Sequence, residues 1–199
     1  MAGFVIPAGL DSSGNPVAAR ADGGVLSTST NGTRATFHYV AQDITPVATA
    51  TDVVVLSGSA SKVIRVTKIS IVGTATAASI YDHYVIKRTA ANTGGTSTSK
   101  TAAQSDSTDA AQTATLLLYT ANPSALGTGI SVEANKTYLA AGATPGAAAL
   151  PIVYTFGTRN DKAIVLRGTA ESIAINFGGQ AVPSGASLYI NIEWTEDTL

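Results

Sequence analysis

The chain has 199 residues, 45% of them hydrophobic and only 13% charged, with 12 Lys and Arg against 13 Asp and Glu and a net charge of -1. That length suits one large β domain or two small ones, a single core being the simpler expectation, and the near-neutral balance gives no electrostatic reason to expect nucleic acid or anionic lipid as a partner. Cysteine is absent, which excludes disulfides, thiolate nucleophiles and cysteine zinc sites, and leaves stability to packing and backbone hydrogen bonds.

Residues 1–10 lack the basic start and long apolar stretch of a secretory signal. No apolar run approaches the roughly 20 residues of a membrane helix. The expectation is a soluble product made in the cytoplasm of its host, with no membrane partner. Residues 1–34 carry Pro7, Gly9, Gly14, Pro16, Gly23, Gly24 and Gly32 among small polar residues, and read as an extended N-terminal arm. Such an arm gains order either on a partner or on its own domain. The domain proper is expected over 35–199.

From Thr36 onward, runs rich in Val, Ile, Thr and Tyr alternate with Gly, Pro, Asn and Ser clusters, the pattern of an all-β sandwich or barrel. Strands are expected over 36–42, 52–56, 62–72, 78–88, 113–119, 137–139, 152–156, 163–167, 172–177 and 187–195. In the last, Leu188, Ile190, Ile192 and Trp194 alternate with Tyr189, Asn191 and Glu193, which sets an apolar face against a mostly polar one and makes Trp194 core. Ile173, Ile175 and Phe177 repeat that period before the turn at Gly178 and Gly179. In 62–72 the apolar set changes phase, Ile64 and Val66 on one face and Ile69 and Ile71 on the other, which a bulge near Thr67 or Lys68 reconciles. The Ala, Thr, Ser, Gly and Gln tract 90–112 reads as an exposed loop, as does 140–149.

Chemistry is hard to find. His38 and His83 lie in no metal-binding spacing, and His83 shares a strand face with Tyr81 and Val85, as a packed strand histidine does. No G-x-S-x-G elbow is present and the Gly58-Ser59 pair lacks a strand-to-helix setting, so a serine hydrolase is not expected. Gly94-Gly95 and Gly178-Gly179 precede no G-K-[ST] and read as turns. Asp106 and Asp109 in the soft loop, and Glu193, Glu196 and Asp197 crowding the C-terminus, are the acidic groups near enough in sequence for glycosidase work, but two solvated carboxylates in a mobile loop lack rigid positioning and a glycosidase is not expected. Asp52, Asp82 and Asp161 show no repeated calcium pattern. Tyr81, Tyr84, Tyr119, Tyr138, Tyr154 and Tyr189 are spread too thinly for a base-stacking platform. The residues therefore nominate no catalytic, cofactor or metal site, and no enzyme activity is expected.

The stretches YDHYVIKRTAANTGG from Tyr81, YTANPSALGT from Tyr119, VYTFGTRNDKAIVLRG from Val153 and ASLYINIEWTE from Ala186 together resemble a group of small bacteriophage virion proteins: head decoration (cement) proteins and minor virion structural proteins. The resemblance spans most of 50–197. It implies a β-sandwich of jelly-roll type, assembly as a homo-oligomer such as a trimer, and a place on the capsid surface of the virion, bound to the major capsid protein and stabilising it. A low-charge surface is consistent with subunit contacts. The alternative is a tail or head surface adhesion module that binds host polysaccharide.

Overall fold

The computed structural model describes residues 20–22, 25–27, 34–142, 149–158 and 161–198. Among them the protein is all-β, with fourteen strands and no helix. The chain divides between Arg34 and Ala35. In the first unit β1 (Arg20–Asp22) pairs antiparallel with β2 (Val25–Ser27), Asp22 opposite Val25. The extended arm expected over 1–34 otherwise lies outside the described residues.

The second unit contains β3 (Ala35–Ile44), β4 (Asp52–Ser57), β5 (Lys62–Ala75), β6 (Ser79–Arg88), β7 (Thr96–Lys100), β8 (Ala103–Gln104) and β9 (Thr115–Ala121). It continues with β10 (Gly129–Ala141), β11 (Ile152–Thr155), β12 (Ile164–Leu166), β13 (Ser172–Asn176) and β14 (Ser187–Thr198). These twelve strands form one strongly curled mixed sheet. One half runs β8, β3, β14, β5, and the free side of β5 is taken in succession by β12 and β11. The other half runs β7, β9, β4, β13, β6, β10. The halves join where Ala140 and Ala141 of β10 pair in parallel with Thr74 and Ala75 of β5.

One core fills the space between the halves. It takes Phe37, Ile64, Val66, Ile69, Ile190 and Trp194 from the first and Val54, Leu56, Val85, Ile173 and Ile175 from the second. Burial of this apolar surface is the main driving force for the fold, at roughly 25 cal/mol per Å² removed from water. The alternation in β14 is realised as expected: Leu188, Ile190, Ile192 and Trp194 are buried, and the Trp194 ring stacks on Phe37 with centroids 5.7 Å apart. The phase change in β5 is resolved at Thr67. Glu193 pairs with Lys68 but Trp194 pairs with Val66, so Thr67 is an extra residue opposite the ladder. Ile64, Val66, Ile69 and Ile71 all reach the core because of it.

Three expectations need correction. Residues 90–112 are exposed but are not a plain loop: β7 extends the sheet beyond β9 and β8 pairs with β3. Their sequences, TSTSK and AQ, have no apolar alternation because neither face of these strands contributes to the core. The strand expected over 137–139 runs from Gly129 to Ala141, and its first half is largely exposed on both faces, so hydrophobic period cannot report it. The soft stretch expected over 140–149 begins with the last two residues of β10, and 143–148 lie outside the described residues.

Deleting Thr67 removes the register shift, so either Ile64 with Val66 or Ile69 with Ile71 must turn to solvent. The expected result is loss of a cooperative urea transition, whereas Thr67→Ser, which keeps the residue count, stays within about 1 kcal/mol of the parent. Equal damage from both changes would show that register is not what this residue supplies.

Candidate functional site

With few charges in the chain, each buried one identifies a constraint. Asp52 at the start of β4 is fully buried. Arg88 at the end of β6 grips it with two donors, Nε to Oδ2 at 2.5 Å and Nη2 to Oδ1 at 2.6 Å. Asn92 donates to Oδ2 at 2.8 Å and Asn176 of β13 to Oδ1 at 2.9 Å. Two carboxylate oxygens thus accept four donors, which fills their lone-pair positions. Arg88 Nη1 also donates to the Gly127 carbonyl at 2.5 Å, and the Gly127 amide donates to Asn92 Oδ1 at 2.9 Å. A Cβ at position 127 would run into the Ala90 carbonyl, so glycine is required where the chain closes on the clamp. The calcium candidate Asp52 is in fact a structural anion with no oxygen left for a cation.

His83 faces the core from β6, fully buried. Its Nδ1 lies 2.7 Å from Thr137 Oγ1 on β10, and its Nε2 lies 2.9 Å from the Tyr154 hydroxyl on β11. Burial pushes the imidazole pKa down to about 4, against an opposing pull from the Asp82 charge. Burial likewise raises Tyr154, with the Glu133 charge adding to it. A neutral ring satisfied by two hydroxyls bridges the two halves of the sheet.

Glu196 is the third buried polar anchor. Its carboxylate accepts Thr113 N at 2.9 Å, Thr113 Oγ1 at 2.6 Å, Ala114 N at 3.0 Å and Trp194 Nε1 at 3.2 Å. Of the acidic residues that crowd the C-terminus in sequence, this one is enclosed, because it lies on the Trp194 side of β14 and caps the approach to β9. Glu193 and Asp197 occupy the other side, where Asp197 accepts from Arg65 at 2.8 Å. Asp106 instead accepts Thr108 N at 2.8 Å and Thr108 Oγ1 at 2.7 Å, which lowers its pKa, while Asp109 N donates to the Asp106 carbonyl at 3.1 Å.

The outer face of the first half carries a different arrangement, a row of polar side chains that crosses three strands. Glu193 of β14 is opposite His38 of β3 on one side and Lys68 of β5 on the other. Thr67, the bulge residue, donates to Glu193 Oε1 at 2.8 Å. Glu193 Oε2 lies 3.6 Å from His38 Nδ1, and His38 Nε2 lies 2.7 Å from Ser105 Oγ. Ser105 follows β8, and its amide donates to the Thr36 carbonyl at 2.9 Å. The row runs beside a shallow groove lined by His38, Val40, Lys68, Ser70, Asn191 and Glu193. Side-chain exposures of 44% for His38 and 32% for Glu193 make it reachable from solvent.

No protein-family model, curated protein or solved structure matches the chain.

Among the described residues no three His, Asp or Glu side chains gather as metal ligands. Asp82 pairs with Lys136 at 2.6 Å on the surface, an exposed ion pair of small energetic weight. The row of His38, Glu193 and Ser105 is what sequence reasoning missed. Ser105 is 67 positions from His38, and the polar tract that holds it gives no hydrophobic period. The one available signal was the phase change at Thr67.

Two outcomes follow. Arg88→Met strands a buried carboxylate and should cost about 3–5 kcal/mol in urea unfolding, while the double change Asp52→Leu with Arg88→Met should restore part of that loss; a double change as damaging as the single one would contradict the clamp. For His83, the unfolded ring titrates near 6.5 and the folded one near 4, so the unfolded state binds more protons between those values. Stability is complete above about pH 6.5 and falls by about 2–3 kcal/mol as pH drops toward 4. His83→Gln should remove that part of the slope.

Proposed function

We propose that this chain is a structural protein of a bacteriophage particle that attaches to the outside of the head by binding the major capsid protein, and so decorates and stabilises the capsid. The observation that carries this reading is a charge-poor, partly apolar outer surface on an all-β body. Ile80 and Tyr138 are cross-strand neighbours, exposed by 60% and 47%. Ile130 further along β10 is exposed by 78%. Large apolar side chains left on a surface this poor in charge favour burial against other subunits. We read the assembly as a trimer.

The strand order supports the jelly-roll reading. Taken without β7, β8 and β9, it reduces to β3, β14, β5 and β11 with β12 in one half, and β4, β13, β6 and β10 in the other. With β11 and β12, which lie in series along β5, counted as one strand, successive strands cross between the halves at every step except from β6 to β10, as in the double Greek key of a jelly roll. On this reading β7, β8 and β9 are an elaboration of the β6 to β10 connection that lengthens both halves. A second reading, adhesion to host polysaccharide, draws on exposed Tyr138 and Tyr189, since aromatic faces stack on sugars.

In the first reading the mechanism is binding repeated by symmetry, where each further contact gains from the effective concentration set by the first. The described residues of the main core lie within 35–199, and on this reading removal of 1–34 leaves that domain folded. The truncated protein is expected to keep its thermal transition and lose attachment to heads that lack the native protein, as judged by electron cryo-microscopy. Full occupancy by the truncated form would defeat the role given to the arm. Binding to host envelopes rather than to heads would favour adhesion.

A further inference from the structure

We infer that Ser105, His38 and Glu193 form an acyl-transfer site, with Ser105 as nucleophile, His38 as its general base and Glu193 as the residue that positions the imidazole, acting on short-chain acyl esters of hydroxylated carriers. The inference is independent of the particle reading, because it concerns a different face and a different measurement.

The three side chains are linked in series, by one contact of hydrogen-bond length and one longer ion-pair spacing. Ser105 Oγ is in hydrogen-bond reach of His38 Nε2 at 2.7 Å, the contact a base needs to take a hydroxyl proton. The other ring nitrogen faces Glu193 Oε2 at 3.6 Å, a loose spacing of the kind that tightens when the ring becomes cationic. The carboxylate is itself held, since its second oxygen accepts from Thr67. Thr67 is the bulge residue of β5, and bulges commonly re-aim side chains next to active sites. Backbone pairing fixes each member. His38 and Glu193 are register partners in adjacent strands, β8 pairs Ala103 with His38, and the Ser105 amide is tied to Thr36. His38 and Glu193 thus sit on paired strands, which hold geometry better than free loops, while Ser105 is held just past the end of β8 by its amide bond to Thr36.

In the reaction the Ser105 oxygen attacks the ester carbonyl while its proton passes to His38 Nε2. The tetrahedral intermediate collapses, the carrier oxygen leaves with the proton from His38, and an acyl group remains on Ser105. Water, deprotonated by His38, then adds to the acyl carbon and releases the carboxylic acid and the free serine. Two features restrict the substrate. The Ser105 amide, which in many such sites helps hold the oxyanion, is committed to Thr36, and loss of one oxyanion donor costs about 10²–10³ in rate. Activated and short esters are therefore expected to react, and amides are not. The adjacent groove is shallow and of mixed character, with Lys68, Ser70 and Asn191 available to hydrogen-bond a hydroxylated carrier beside apolar Val40 and Ile192, and it gives no enclosed space for a long acyl chain.

The test is hydrolysis of p-nitrophenyl acetate by the purified full chain, together with labelling by a fluorophosphonate probe and mass spectrometry of the labelled peptide. The expected result is turnover at least tenfold above that of Ser105→Ala and His38→Ala, with the label on Ser105. Glu193→Gln should lower kcat while leaving KM unchanged, a split that a merely structural residue would not produce. Wild-type turnover equal to that of Ser105→Ala, or a label elsewhere or absent on the folded protein, would overturn the inference. Attachment of Ser105→Ala to heads should match that of the parent whatever the catalytic result.

Discussion

The pairing of β14 with β5 is the constraint on which the other parts of this protein depend. It is a twelve-partner antiparallel ladder with one register shift, and it settles for both strands which side chains enter the core. Upstream of the shift Ile64 and Val66 are inside; downstream Ile69 and Ile71 are inside. On β14 the same ladder keeps Trp194 on the core side, next to Phe37, and turns Glu193 outward. A one-residue slip would exchange these sets wholesale. The outer row around His38 is the reverse side of that choice, because the residue that corrects the register also fastens Glu193.

Three buried polar groups divide the remaining work of specifying the fold. Asp52 with Arg88 ties β4, β6 and β13 to the chain segment at Asn92 and Gly127. Glu196 ties β14 to Thr113 and Ala114. His83 ties β6 to β10 and β11. Apolar contacts of similar area would give comparable stability with less positional demand, since a buried ion pair recovers little beyond its own desolvation cost. Here the demand is for position: two of the three networks anchor the long excursion between β6 and β10, in which β7 and β8 present no large apolar side chains of their own. Gln112 and Gln104 add to this by holding backbone groups within the excursion.

The legible part of the fold is the part whose side chains report burial. Leu188 to Trp194 and Ile173 to Phe177 announce their strands by period, and Ile64 to Ile71 announce a bulge by a break in it. The first half of β10 and the whole of β7 and β8 are silent, because strands exposed on both faces have no preference for apolar residues. The polar anchors are silent for another reason. Glu196 is spatially adjacent to Thr113 but 83 positions away, and a carboxylate near a C-terminus looks the same in sequence whether it is solvated or enclosed. His38 looks solitary until β8 folds against β3 and brings Ser105 to it.

Ala35 at the start of β3 is the register partner of Glu196 near the end of β14. Strands so paired lie about 5 Å apart, so the two ends of the main domain leave it side by side at one corner of the sheet. Tension applied between those ends opens the β3 and β14 ladder like a zipper, one pair of hydrogen bonds at a time, and meets little resistance at each step. Tension applied along the strands from opposite ends must instead shear many pairs at once. The domain is therefore mechanically anisotropic, weak to a pull through its own chain ends and strong to tension applied along its strands from opposite ends.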